Sequence, residues 1–237
     1  MTSPATDEGA GKPGLGDLAE IFYAPSAVFA RRRDGKFGMA YAALAILGVV
    51  IFLATKSLVQ PVIDAEISRQ LAIAAAKNSM TPEAMAGATS FAHTIASVGI
   101  VAFFLIAPFL IGLFTWIVGK LARVEAVGTT AMMIAVFSLF PRLVGSVVGA
   151  ILAAALPEAS LTSAASLSLS PARFVDPSHT AAVALLGRFD LFILWGIVLI
   201  AIGMQVAARA TKAQAWTTAV GVWAIGFILP LIGILRG

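Results

Sequence analysis

The chain has 237 residues, 59% of them hydrophobic and only 12% charged, with a mean hydropathy of +0.96. A soluble domain of that length cannot hide so much apolar surface, so the composition excludes an ordinary water-soluble fold and indicates a multi-pass membrane protein. The net charge of +4 and a pI near 9.8 would indicate nucleic acid in a soluble protein. Here the cations cluster at the ends of apolar runs, which assigns them to lipid headgroups and leaves no nucleic-acid partner. The absence of cysteine excludes disulfides, thiol chemistry and iron–sulfur clusters.

Residues 1–16 are Gly, Pro, Ser, Thr and acidic, a composition that predicts a disordered tail. Residues 17–36 read as a cytoplasmic amphipathic lead. Leu18, Ile21 and Phe22 fall at helical spacing, Pro25 opens a second short helix, and Val28 and Phe29 continue the apolar stripe. Arg31, Arg32, Arg33 and Lys36 follow at once. An apolar stripe beside a basic cluster predicts a helix lying in the headgroup region, with Phe22, Phe29, Arg31, Arg32 and Arg33 as its membrane-surface contacts, the compatible alternative being a helix packed under the bundle. The first apolar run reads as a retained signal anchor, since no small-x-small cleavage site follows it.

Five spans are expected within residues 37–235, at about 37–55, 95–118, 127–156, 187–208 and 217–235. Between the first two, Leu58 to Ala92 reads as polar enough to lie outside the membrane. It carries a short amphipathic helix and a helix start at Thr81-Pro82-Glu83, with Met80 and Met85 placed for a hydrophobic staple, and this second helix can run on into the next span. Pro108 and Pro141 are expected to kink the second and third spans. The Ser/Ala/Leu-rich segment from Glu158 to His179 reads as an outer loop. The fold class is therefore all-α: a polytopic bundle of five transmembrane helices plus an N-terminal interfacial helix.

With the N-terminus inside, nine Lys and Arg fall in inner segments and six in outer ones, and the densest cluster precedes the first span. That bias predicts a cytoplasmic N-terminus and an outer C-terminus. Arg142 and Asp190 are opposite charges placed within the spans, Asp190 about one turn inside the fourth. They are expected to form an intramembrane pair that fixes helix register, the alternative being an ion path. Gly145-x-x-x-Gly149 presents small residues for close helix packing. Trp116 and Trp216 sit near predicted inner boundaries as interfacial anchors. His93, His179 and Asp176 lack metal-ligand spacing, no nucleotide fingerprint appears, and neither histidine is placed deep in a span. No metal, cofactor or enzymatic activity is expected.

Three stretches, taken together, resemble the Yip (Ypt/Rab-interacting protein) family in its bacterial form. These are IFYAPSAVF before the first span, AVFSLFPRLVGSVVGAIL in the third, and LFILWGIVLIAIGMQVAARATKAQAW through the fourth. The likeness extends over about residues 19–231. It implies a five-span membrane protein of a bacterial cytoplasmic membrane and carries over no activity; the partners expected are membrane lipid and another membrane protein or a second copy of the chain. Eukaryotic members are associated with Rab-type GTPases. Where those members show Asp-Leu-Tyr-Gly-Pro, this chain has Ile21-Phe22-Tyr23-Ala24-Pro25, which weighs against carrying over a GTPase partner. The expected role is non-enzymatic organisation of lipid or a partner protein, with a small transporter or channel subunit as the alternative.

Overall fold

The computed structural model describes residues 14–78, 81–228 and 231–232, and these are helical with no strand among them. The elements are α1 (Asp17–Glu20), α2 (Pro25–Arg31), α3 (Gly38–Asn78), α4 (Pro82–Leu121), α5 (Gly128–Ser138), α6 (Phe140–Ala155), α7 (Thr180–Leu186), α8 (Leu191–Val206) and α9 (Lys212–Ile225). Short 3-10 turns fall at Glu158–Ser160, Ala164–Leu167, Pro171–Phe174 and Gly187–Phe189. Three stretches are long and apolar enough to cross a membrane: Gly38–Ala76, Glu83–Leu121 and Gly128–Ala155. A fourth is available if Thr180–Phe189 and Leu191–Val206, bent by 46°, form one span. The far end of the expected fifth span lies outside the described residues, as do residues 1–13 of the expected tail and Met80 of the expected staple.

Between the first two spans α3 continues to Asn78, longer than the short helix expected there, whereas α4 begins at Pro82 and runs on into the second span as expected; the two helices have 41 and 40 residues. At about 1.5 Å per residue each is ~60 Å long, twice a hydrocarbon core of ~30 Å. The polar residues there are helix surface. Glu66 pairs with Arg69 and accepts from Gln70 Nε2 at 2.8 Å, pairs three and four residues apart along one helix. The helix start at Thr81 is as the sequence indicates, with Pro82 first and the Thr81 hydroxyl accepting from the Ala84 N–H at 3.3 Å.

The chain divides into two compact units. The first comprises residues 1–43, 108–140 and 196–223, the second 44–107, 141–195 and 224–237. The divisions in α4 and at the start of α6 fall at Pro108 and Pro141. Pro108 lies inside unbroken α4, whereas Pro141 is the second residue of α6, just after α5 ends at Ser138. A proline is tolerated at that place because the first amides of a helix have no internal acceptor.

In the first unit the core is Ile21, Val28, Phe29, Ile134, Phe137, Leu199 and Met204, all buried. Phe29 meets Phe137 edge-on at 6.1 Å, and Phe137 stacks on Phe140 at 5.8 Å. Helices α5 and α8 approach closely at Gly196, where a methyl group would lie 2.7 Å from the Ser138 carbonyl oxygen, and at Gly203, where it would lie 2.8 Å from Ile134. In the second unit α3 and α4 meet where His93 on α4 lies 3.6 Å from the Asp64 carboxylate on α3, and at Gly48 of α3, where a methyl group would lie 2.5 Å from the Phe104 ring of α4. The segment Glu158 to His179 is packed, with Leu161, Ser163, Ser170 and Ala172 buried. Arg69 of α3 ties it down by donating to the Pro177 carbonyl at 3.0 Å.

Candidate functional site

The N-terminal lead occupies the first unit, and two of its four cations, Arg31 and Arg32, are turned inward. Asp17 is 3% exposed and receives two arginines: Arg31 at 2.6 Å on one oxygen and Arg32 at 2.6 Å on the other. Arg31 also pairs with Glu20. Arg32 is 2% exposed, donates to the Gly14 and Lys36 carbonyls at 3.2 Å each, and lies 5.1 Å above the Phe137 ring. Burial pushes the Asp17 carboxyl up. The hydrogen bonds and charges of Arg31 and Arg32 outweigh that and hold it below the usual carboxylate range.

This placement corrects the expected membrane-surface set. Phe29 is wholly buried and Arg31 and Arg32 are engaged by carboxylates, so these three side chains contact protein rather than headgroups. Two short helices, each too brief to be stable alone, need such a staple to hold them. Arg33 is exposed at its surface but donates to the Val206 carbonyl at 3.1 Å, at the C-terminus of α8 where a cation is favoured. Phe22 is half-buried, and the exposed large hydrophobic side chain of the lead is Tyr23. Gly35 closes the segment with a φ of +72°, where a side chain would also meet Thr129 Oγ1 at 2.9 Å.

The second unit holds a cavity of about 570 Å³. Its walls come from α3 (Phe52, Thr55, Val59), α4 (Ile95, Ile100, Phe103), α6 (Arg142, Gly145, Ser146) and the approach to α8 (Ser168, Asp190, Phe192). Arg142 and Asp190, expected as a pair, both line it, but no ion pair within 4 Å joins them. Asp190 is the N-cap of α8, buried, sitting at the 46° bend before the helix rather than one turn inside it. Its Oδ1 accepts from the Phe192 and Ile193 amides at 2.9 and 3.4 Å, and its Oδ2 from the Leu169 amide at 2.9 Å. A carboxylate there satisfies amides that open the helix and meets its positive end. Arg142 is half-buried, its guanidinium 5.8 Å from the Phe103 ring centre, and no hydrogen bond reaches that guanidinium among the described residues.

The small-residue motif on α6 divides in two. Gly145 faces the Phe192 ring, where a methyl group would lie 2.8 Å from Cδ2, whereas at Gly149 the nearest atom would be 3.4 Å away, an ordinary contact. Sequence reasoning passed over Gly196 and Gly203, though their spacing of two turns on one helix face is the same kind of signal. Trp116 and Trp216 are each 38% exposed. Among the described residues, no group of three or more His, Asp or Glu side chains could hold a metal ion.

Residues 19–234 match a family model described as the Yip1 domain. No curated protein and no solved structure matches the chain.

Proposed function

We propose, for a chain that belongs to the Yip1 domain family, a non-enzymatic role as a multi-pass membrane protein that organises the lipid around it. The carrying observation is the outward face of α4. Ile95, Val98, Leu105, Ile106, Phe109 and Leu113 recur at helical spacing and stay exposed. A soluble protein rarely presents so long an apolar stripe, and hydrocarbon is the medium that suits it. The proposal includes a fifth span over residues 217–235, a cytoplasmic N-terminus and the bacterial cytoplasmic membrane, on the charge bias of the sequence. With Arg31 and Arg32 held by carboxylates, the headgroup contacts assigned to the lead are Tyr23, Arg33 and Lys36, which are exposed.

Reconstitution into anionic liposomes tests this reading. Spin-labelled lipid should show a motionally restricted population proportional to protein, and a pH-sensitive dye should report no added proton flux. Flux that disappears in Arg142→Gln would overturn it in favour of a transport role, which the shared cavity of Arg142 and Asp190 would then serve.

A further inference from the structure

We propose that the cavity of the second unit binds a single-chain anionic amphiphile, a fatty-acid carboxylate being the simplest, with its anion on the Arg142 guanidinium. The inference deepens the lipid-organising role and rests on it. Arg142 is the sole cation among the lining residues and Asp190 the sole anion. Both Asp190 oxygens are already taken by the Leu169, Phe192 and Ile193 amides. The Thr55 and Ser146 hydroxyls are also spent, donating to the Ile51 and Arg142 carbonyls at 2.7 and 3.0 Å. That leaves the Arg142 guanidinium, which shares the cavity with the Asp190 carboxylate and the Phe103 ring, with no hydrogen bond among the described residues, so its N–H donors are available to an added anion. A planar carboxylate matches the guanidinium fork with two parallel hydrogen bonds.

The walls decide the rest of the ligand. Phe52, Val59, Ile95, Ile100, Phe103 and Phe192 offer no hydrogen-bonding side chain. A volume of about 570 Å³ lies in the range of roughly 300–1,000 Å³ that holds a drug-sized molecule. An inorganic ion would leave most of that wall uncovered, whereas a hydrocarbon chain would cover it. Asp190 supplies a negative charge on the opposite account. Its partial neutralisation by the α8 N-terminus makes a monoanion acceptable and disfavours a doubly charged headgroup.

Native mass spectrometry of the full chain in non-ionic detergent, titrated separately with oleate, methyl oleate and inorganic phosphate, tests the proposal. A saturable one-to-one oleate adduct is expected. Arg142→Gln should weaken oleate by about tenfold or more, the worth of charge-assisted hydrogen bonds, and leave methyl oleate unchanged. Gly99→Leu gives a second handle. Gly99 lines the cavity and a Cβ there meets nothing within 4 Å, so the variant should fold, fill the space and weaken both ligands. Equal oleate affinity in wild type and Arg142→Gln would overturn the proposal, as would a phosphate adduct without an oleate one, or no adduct at all. A protein that still restricts lipid in liposomes yet takes no oleate would sink this inference alone. Loss of lipid restriction would instead sink the proposed function.

Discussion

The two units use their buried aspartates in opposite ways. In the first, Asp17, Glu20, Arg31 and Arg32 consume one another, and every donor of Arg32 named above has an acceptor. In the second, Arg142 and Asp190 share a cavity yet do not touch, the acid spent on capping α8 and the base facing an aromatic ring. The lesson is that an opposite pair in an apolar chain is not automatically an ion pair. A carboxylate takes whichever donors its backbone position presents first. For Asp17 those are two guanidinium groups brought back by the turn from α1 to α2. For Asp190 they are the Phe192 and Ile193 amides of the helix it opens, joined by the Leu169 amide from the preceding loop.

The sharpest way to break that comparison is to remove the acid from each unit. Asp17→Ala leaves Arg32 buried without its carboxylate and should cost on the order of 3–5 kcal/mol. Thermal denaturation in detergent would measure it. The same carboxyl sets a pH dependence. Its folded pKa is depressed, so its contribution is fully present above the unfolded value of 3.8 and is lost as pH falls through the lower folded value. The acid limb of a stability profile should therefore flatten in Asp17→Asn. A variant as stable as wild type would show that the knot around Asp17 holds nothing.

Backbone fit offers an intermediate effect. Gly35→Ala combines a left-handed φ with a clash against Thr129, and should cost roughly 1–3 kcal/mol in the same assay. Gly149→Ala in the second unit has room and an interior helix position, so it should be neutral or slightly stabilising. If the two behave alike, the difference in packing drawn between them is wrong.

The smallest effect is the most informative about the cavity. Asp190→Ala removes an N-cap and should cost about 1 kcal/mol, with Asp190→Asn retaining much of it. A double-mutant cycle with Arg142→Ala should then give a coupling below about 1 kcal/mol, since the two groups share a cavity without direct contact. The equivalent cycle between Asp17 and Arg32 should give the larger value. Strong coupling between Arg142 and Asp190 would mean that they close on each other in solution, and the amphiphile site would lose its free guanidinium.

Much of this molecule was legible in one dimension. Apolar run length marked the helices around 37–55, 95–118 and 127–156, and the Thr81-Pro82 start was readable because capping is a local event between residues three apart. The order of motifs from Ile21 to Trp216 already resembled the family whose model matches residues 19–234. What composition understated was the helix from Leu58 to Asn78. Polarity reports the medium around a segment, and a helix that leaves the hydrocarbon core turns polar without ceasing to be a helix. Tertiary structure alone decided the partners of the charges. Arg31 and Arg32 read equally well as headgroup contacts, because a basic cluster beside an apolar stripe carries no information about what folds against it. Only the return of Asp17 and Glu20 across the turn at Tyr23 and Ala24 made them internal. Likewise nothing in the spacing of Arg142 and Asp190 distinguishes a closed pair from two sides of a cavity, since that depends on a few ångströms set by Phe103, Phe192 and the bend before α8.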